Sequence, residues 1–382
     1  MNRSRLRIFF GLVALGGGVA MTGRAQSLVY VAADQATVYE GGKMLLRAQA
    51  RPGAVSVFDL DAVPMKGWHR DGVPLTVIGP PSCIVAHPRT KDILVTSAQR
   101  VDPHDRTQLI SDSRVTRLRV RGDDLVVVDQ LEVFEQPSGI AMDATGQRAW
   151  VALRNQGSIA RIELTPELMR VAAIEKLTEP EDSLSDVKLS PDGRTLLATC
   201  HAIDTLLVLA VQDDGTLTET QRVSLPGGGY HIAFLQDGRA VVGCTRANVI
   251  AVIGRGMDGQ WRQETTIETG RVPEGVAVSP DGKWIAVSCF DGGNFVVKKN
   301  PWFGHPPRVY LYSVNHGGTI VKRQSFDFEG ILQSSVFASD SRRLVVGQYG
   351  PANLKVLTLE SDQWVDAGVK IELPGNPAAL AR

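Results

Sequence analysis

The chain has 382 residues, with 41 basic and 41 acidic side chains, 43% hydrophobic residues, 38 Gly and only 4 Cys. This is a globular composition, not a disordered one, and four Cys in such a length exclude a scaffold built on disulfides. A formal charge of zero argues against the basic surface of a nucleic-acid binder, so no nucleic-acid partner is expected.

Residues 1–25 read as a signal peptide. Arg3, Arg5 and Arg7 form a positive start, 8–21 is apolar and uncharged, and Gly23 and Ala25 place small residues before a cut at Gln26. The 14 apolar residues of 8–21 fall short of a bilayer span, which needs ~20. The mature chain is therefore expected to carry no membrane span and to be periplasmic or secreted. Cleavage would remove four Arg and leave a net charge of −4.

The remainder, 26–382, reads as a single domain. Residues 27–33 form an apolar strand with nothing before it, and an insertion follows at 34–53. His87-Pro-Arg-Thr-Lys-Asp-Ile-Leu-Val then gives a weak strand–turn–strand unit, with a second insertion at 98–114. The unit recurs at Asp143-Ala-Thr-Gly, Ser190-Pro-Asp-Gly-Arg-Thr-Leu-Leu, Gln236-Asp-Gly-Arg-Ala-Val-Val and Ser279-Pro-Asp-Gly-Lys-Trp-Ile. Asp-Gly tolerates the positive φ of a tight hairpin turn. A third insertion occupies 290–308, a weaker copy begins at Ser339, and 375–382 reads as a strand with nothing after it.

Turn residues Gly146, Gly193, Gly238 and Gly282 are spaced by 47, 45 and 44 residues, the period of a four-stranded propeller blade. Six inner hairpins are complete, and a seventh is split between the ends of the chain. The expected fold is all-β: a seven-bladed β-propeller closed by pairing the N-terminal and C-terminal strands in one blade, which removes two open sheet edges. Naming the strands of a blade A to D from the axis outward, all three insertions fall between B and C. They therefore share one face with the D–A loops, and such long loops are usually functional.

These repeats resemble those of the YVTN-repeat propellers, a WD40-like class that includes the lactonase-like proteins. Ser279 to Ser288 and Ser190 to Thr199 follow the family blade closely, and Tyr30-Val-Ala echoes it. The resemblance covers nearly the whole mature chain. It implies the propeller fold, and it implies that His, Arg and Glu side chains on one face open or close a lactone ring, as in 6-phosphogluconolactonase and carboxymuconate cyclase. Gly229-Tyr-His-Ile-Ala-Phe is similar to the family's Gly-Pro-Arg-His-Leu-Ala-Phe, so His231 matches. Tyr230 stands where the motif has Arg, and Gln136-Pro-Ser-Gly-Ile replaces the His-rich entry of an earlier blade.

His104, His201 and His305 map to B–C loops and His231 to a D–A loop, all on the insertion-bearing face. His69, His87 and His316 map to turns on the other. Ring opening calls for a general base and an oxyanion partner, and His231, Arg246, Glu274 and His201 are the candidate catalytic set. Asn300-Pro-Trp-Phe-Gly-His-Pro-Pro-Arg is a stiff aromatic loop, so Trp302, Phe303, His305 and Arg308, with His104 and Arg106, are candidate ligand contacts. Cys200, Cys244 and Cys289 occupy one equivalent position, the end of strand B, on consecutive blades. They lie too far apart there for a disulfide and lack a CxxC pair for zinc, so they are expected as core residues. Neither metal nor cofactor is expected: there is no CxxCH for haem, and Gly227-Gly-Gly229 precedes no helix.

Three readings follow. The first is a ligand-binding or protein-interaction scaffold that engages a small molecule or a periplasmic protein through the insertion-bearing face. The alternative is a lactonase-like hydrolase acting on a sugar or aromatic lactone. The third, by analogy with related propellers, is a companion subunit of a periplasmic dehydrogenase.

Overall fold

A computed structural model describes residues 27–63, 65–75, 83–293 and 297–382. The expected signal peptide, 1–25, lies outside these described residues. Seven four-stranded antiparallel sheets account for nearly all of the secondary structure. Blades 1 to 6 have as their inner strands Ile84–Ala86, Pro137–Met142, Leu184–Leu189, Gly229–Phe234, Pro273–Val278 and Ser335–Phe337. Blade 7 pairs Asn376–Ala381, as its inner strand, with Leu28–Asp34, in the register Tyr30↔Ala381 to Asp34↔Asn376. Gly53–Asp59 and Lys66–Val73 complete that blade. The seven-bladed ring and its closure are as the repeats predict.

The Ser-Pro-Asp-Gly unit forms its turn for a local reason. The Ser279 hydroxyl accepts from the Trp284 N–H at 3.0 Å and donates to Asp281 at 2.6 Å, while Asp281 accepts from the Lys283 N–H at 3.1 Å. Ser190, Asp192 and Thr195 repeat the arrangement in blade 3. Gly193 and Gly282 have φ of 72° and 70°, a conformation a side chain resists.

The core lies between the blades. Leu206, Val208 and Leu225 of blade 3 pack against Ile232, Val242 and Trp261 of blade 4, and Trp284 of blade 5 packs against Phe337 and Trp364 of blade 6. Each such side chain, withdrawn from water, contributes roughly 1.5–3 kcal/mol. Polar straps add direction. At one equivalent position, within the inner strand for Asp186 and His231 and just before it for Ser334, each accepts an N–H from the next blade: Ile232 at 2.8 Å, Val276 at 3.1 Å and Leu380 at 3.0 Å. On the outside, Gln221 and Gln324 clasp the backbones of Trp261 and Trp364 on the following blade.

Two insertions have more structure than the sequence suggests. Within 34–53, Thr37–Glu40 pairs with Lys43–Leu46 as a hairpin turning at Gly41 and Gly42, both at positive φ. Within 98–114, strands B and C of blade 1 simply continue, pairing Gln99↔Ser111 to Val101↔Leu109. His104 lies in the turn that ends this ribbon. The third insertion, 290–308, has no strand among its described residues before Arg308, where strand C of blade 5 begins. His69, expected in a turn, lies instead within the outer strand Lys66–Val73 of blade 7.

Candidate functional site

The upper ends of the inner strands, on the insertion-bearing face, gather an unusual set of ionisable groups. Glu274 is the second residue of the blade 5 inner strand, and Gln333 Nε2 donates to its Oε2 at 3.4 Å. Burial lifts its carboxyl to about 8, against the lowering pull of Gln333 and Arg154. Tyr230 is the corresponding residue of blade 4, buried, with its hydroxyl in reach of the Arg154 guanidinium. The His201 ring meets Tyr230 edge-to-face at 5.2 Å. Burial, reinforced by Arg154 and Arg246, holds His201 down at about 4, so its imidazole is neutral at ordinary pH. Its Nε2 lies 3.0 Å from the Thr245 hydroxyl.

Arg154 is the common element. It comes from the tight B–C turn of blade 2, donates from Nε to the Ser183 hydroxyl at 2.7 Å, and exerts its charge on Tyr230, Glu274 and His201 together. The fourth neighbour is Tyr39 of the inserted hairpin. Its ring meets Tyr349 at 5.9 Å and packs beside Phe290 and Ile331. Burial and the charge of Glu274 raise its hydroxyl to about 12. Tyr39 is held there by the root of the hairpin. Buried Asp34 accepts from the Ala36 N–H at 2.7 Å, from the Thr37 hydroxyl and from the Tyr349 hydroxyl at 2.7 Å.

Of the residues picked from sequence as catalytic, Glu274 and His201 enter this cluster. Arg246 sits at its edge, donating to the His201 carbonyl at 2.8 Å and pairing with Asp204. His231 is placed differently. It lies within the inner strand of blade 4 and not in the D–A loop, and only 8% of it is exposed. Its Nδ1 accepts the Val276 N–H and its Nε2 is 4.0 Å from Asp186, so the ring straps blade 4 to blade 5. Burial holds it neutral, with its pKa well below the usual histidine value.

The candidate ligand contacts fall into two groups. On blade 5, Trp302 and Phe303 are exposed by 41% and 47%. Trp302 lies under Arg271 at 4.8 Å and beside His305 at 5.1 Å. Arg308 is taken up by Asp327 at 2.6 Å. On blade 1, His104 and Arg106 belong to the ribbon tip, and Arg106 donates to the Ala50 carbonyl at 2.9 Å. Cys200, Cys244 and Cys289 are free thiols, buried at the ends of successive B strands as expected. Among the described residues, no cluster of three or more His, Cys, Asp or Glu could hold a metal ion. No helix among them is long and apolar enough to cross a membrane.

Sequence reasoning missed Arg154 and Tyr39. Arg154 stands in Leu153-Arg-Asn-Gln-Gly157, an ordinary exposed-looking turn, and Tyr39 is one aromatic in an insertion. In the sequence, Tyr230 reads only as the loss of the Arg in the motif it resembles. In space, Arg154 brings a guanidinium back to Tyr230 from two blades away.

The fold defines a seven-bladed propeller, and comparison with known proteins gives it a character. The family model "Lactonase, 7-bladed beta-propeller" matches residues 140–255, from the inner strand of blade 2 into blade 4. No curated protein matches the chain in sequence. Among solved structures, a candidate 6-phosphogluconolactonase from Bacteroides uniformis is similar at 16% identity and a TM-score of 0.69, over 94% of this chain and 99% of that one. The periplasmic gluconolactonase of Pseudomonas aeruginosa is similar at 18% identity and a TM-score of 0.66, over 92% of this chain and 98% of that one. Hydrazine synthase from Kuenenia stuttgartiensis also shares the fold, at 16% identity and a TM-score of 0.60, over 82% and 92% of the two chains. The last pairing shows that the ring alone does not dictate chemistry.

Proposed function

We propose that the protein is an exported lactonase-like hydrolase whose site is the Glu274–Arg154–Tyr230 cluster. The observation that carries this reading is a carboxyl held at about 8 beside a guanidinium at the mouth of a lactonase-type propeller. A base titrating near neutrality is suited to activating water. In its ionised form Glu274 takes a proton from water as the water oxygen attacks the lactone carbonyl. The ring C–O bond then breaks, and the ring oxygen takes up the proton held by Glu274 and leaves as a hydroxyl, giving a hydroxy acid and restoring the carboxylate. Arg154 and the Tyr230 hydroxyl supply positive charge and a donor to the oxyanion. The Gln333 Oε1, buried without a hydrogen-bond partner, is available to a substrate hydroxyl.

Two measurements test this on a panel of sugar and aryl lactones, with spontaneous hydrolysis subtracted. Glu274→Gln should lower kcat/KM by about 10²–10⁴-fold, and Arg154→Met by about 10²–10³-fold. In the parent, kcat/KM should climb with pH through a midpoint near 8 and level off above it, as the carboxylate forms. His201→Gln should leave that limb in place. A folded protein that turns over no lactone on the panel refutes the proposal. The scaffold reading keeps one supporting observation, the exposed Trp302 and Phe303. It would be preferred if Trp302→Ala abolished capture of a periplasmic partner in a protein without hydrolytic activity.

A further inference from the structure

Away from the channel, the hairpin-bearing insertion of blade 7 and the ribbon of blade 1 border a cavity of about 230 Å³. Four guanidinium groups line it: Arg51 from one insertion, and Arg100, Arg106 and Arg114 from the other. Only Asp102 and Asp112 oppose them, which leaves the lining with an excess of positive charge. Asp112 is already engaged by Arg114, at 2.8 and 2.6 Å, and by the Ser97 hydroxyl at 2.6 Å. Asp102 caps its own turn through the His104 N–H at 2.8 Å. Arg51 and Arg100 are exposed and reach into the same space.

Two further features narrow the ligand. Gln99 Oε1, from a residue lining the cavity, is buried with no hydrogen-bond partner, and an orphan acceptor of this kind calls for a donor. The floor is apolar: Leu75, Val101 and Pro103 offer a surface for C–H groups. A guanidinium fork matches a carboxylate bidentately. The volume is below the ~300–1,000 Å³ of pockets for drug-sized ligands, which suits a single ring.

We propose that this cavity is a binding site for a ring carboxylate that also carries hydroxyl groups, a uronic acid, either free or at the end of a glycan chain. The carboxylate meets Arg51 and Arg100, a ring hydroxyl donates to Gln99, and the C–H face of the ring rests on Leu75 and Val101. The site is separate from the Glu274 cluster and does not depend on the lactonase reading.

The test is calorimetric titration of the whole protein with D-glucuronate and D-galacturonate, with their methyl esters, and with trigalacturonate. The free acids should bind and the esters should not, and affinity should fall as salt is raised. The double variant Arg51→Gln/Arg100→Gln should weaken binding at least about tenfold, the loss of one to two charge-assisted hydrogen bonds. Gln99→Leu should also weaken binding while leaving the salt dependence unchanged. Trigalacturonate binding more tightly than the monomer identifies a glycan end as the source, and equal or weaker binding identifies the free sugar acid. Unchanged thermal unfolding of the variants shows that the fold is kept. Binding of neither acid, equal binding of the esters, or a double variant that binds like the parent would overturn the proposal.

Discussion

Glu274 shows how little residue type says about chemistry and how much position says. On a solvated strand end it would ionise near 4.5, but at the upper end of the blade 5 inner strand burial moves it to about 8. The shift has a consequence for stability whose sign is fixed. Between these two values the folded chain keeps a proton that the unfolded chain has released, so stability declines as pH rises through the interval. Glu274→Gln removes this term. The melting temperature of the variant should therefore gain on the parent as pH goes from 5 to 8, which differential scanning calorimetry can follow. A gain that does not change with pH would mean that the carboxyl is not held neutral. His201 works the other way: its neutral form is the stable one in the fold, so acidification below its unfolded value of 6.5 costs stability down to about 4. Glu274 and His201 could be picked from sequence because blade spacing places every loop on a face. Arg154 could not, because its partners come from blades 3, 4 and 5, and nothing in its own turn marks it.

Single elements tell a similar story. The strand pattern marked the three insertions by length, but it did not disclose that 34–53 folds back as a hairpin carrying Tyr39 toward Glu274. That arrangement hangs on Asp34 and Thr37 meeting Tyr349, which lies 312 positions beyond Thr37 in sequence. Tyr349→Phe keeps the ring and deletes its hydroxyl, which lies 2.6 Å from the Thr37 hydroxyl and 2.7 Å from Asp34. The expected loss is about 1–2 kcal/mol of unfolding free energy, measured in denaturant. A value near zero would show that the hairpin is anchored elsewhere. The ends of the B strands were easier to read, since the blade period alone puts Cys200, Cys244 and Cys289 at equivalent buried points. Burial pushes Cys83, Cys200 and Cys244 up to about 12 and Cys289 higher still. Iodoacetamide at pH 8 should accordingly leave all four thiols of the native protein unmodified and label all four once it is unfolded.

At the scale of the molecule, the sequence disclosed most, because a propeller writes its architecture into a repeat and each copy folds its turn with the same few bonds. What it could not disclose is how blades 6 and 7 are joined. Arg343 of blade 6 reaches the Leu60 carbonyl at 2.6 Å and Asp61 at 2.5 Å, and the Ser27 and Ser339 hydroxyls meet at 2.5 Å. Deleting 376–382 would leave Leu28–Asp34 with a bare edge and the inner strand of blade 6 without the one beside it. Such a chain should lose its cooperative thermal transition and associate, visible by calorimetry and size-exclusion chromatography. A peptide spanning the deleted residues should restore the transition.

The pairing of Tyr30 with Ala381 also sets a clock. The two residues stand about 350 positions apart, so during synthesis the first strand can pair with Gly53–Asp59 early, but its inner edge has no mate until Asn376–Ala381 has emerged. Contacts that span a whole chain form slowly. The nascent protein should therefore remain an unlatched string of blades until that strand is made. Latching should be a single late event, with a rate independent of protein concentration, and chaperones that shield exposed strand edges would have their longest opportunity before it.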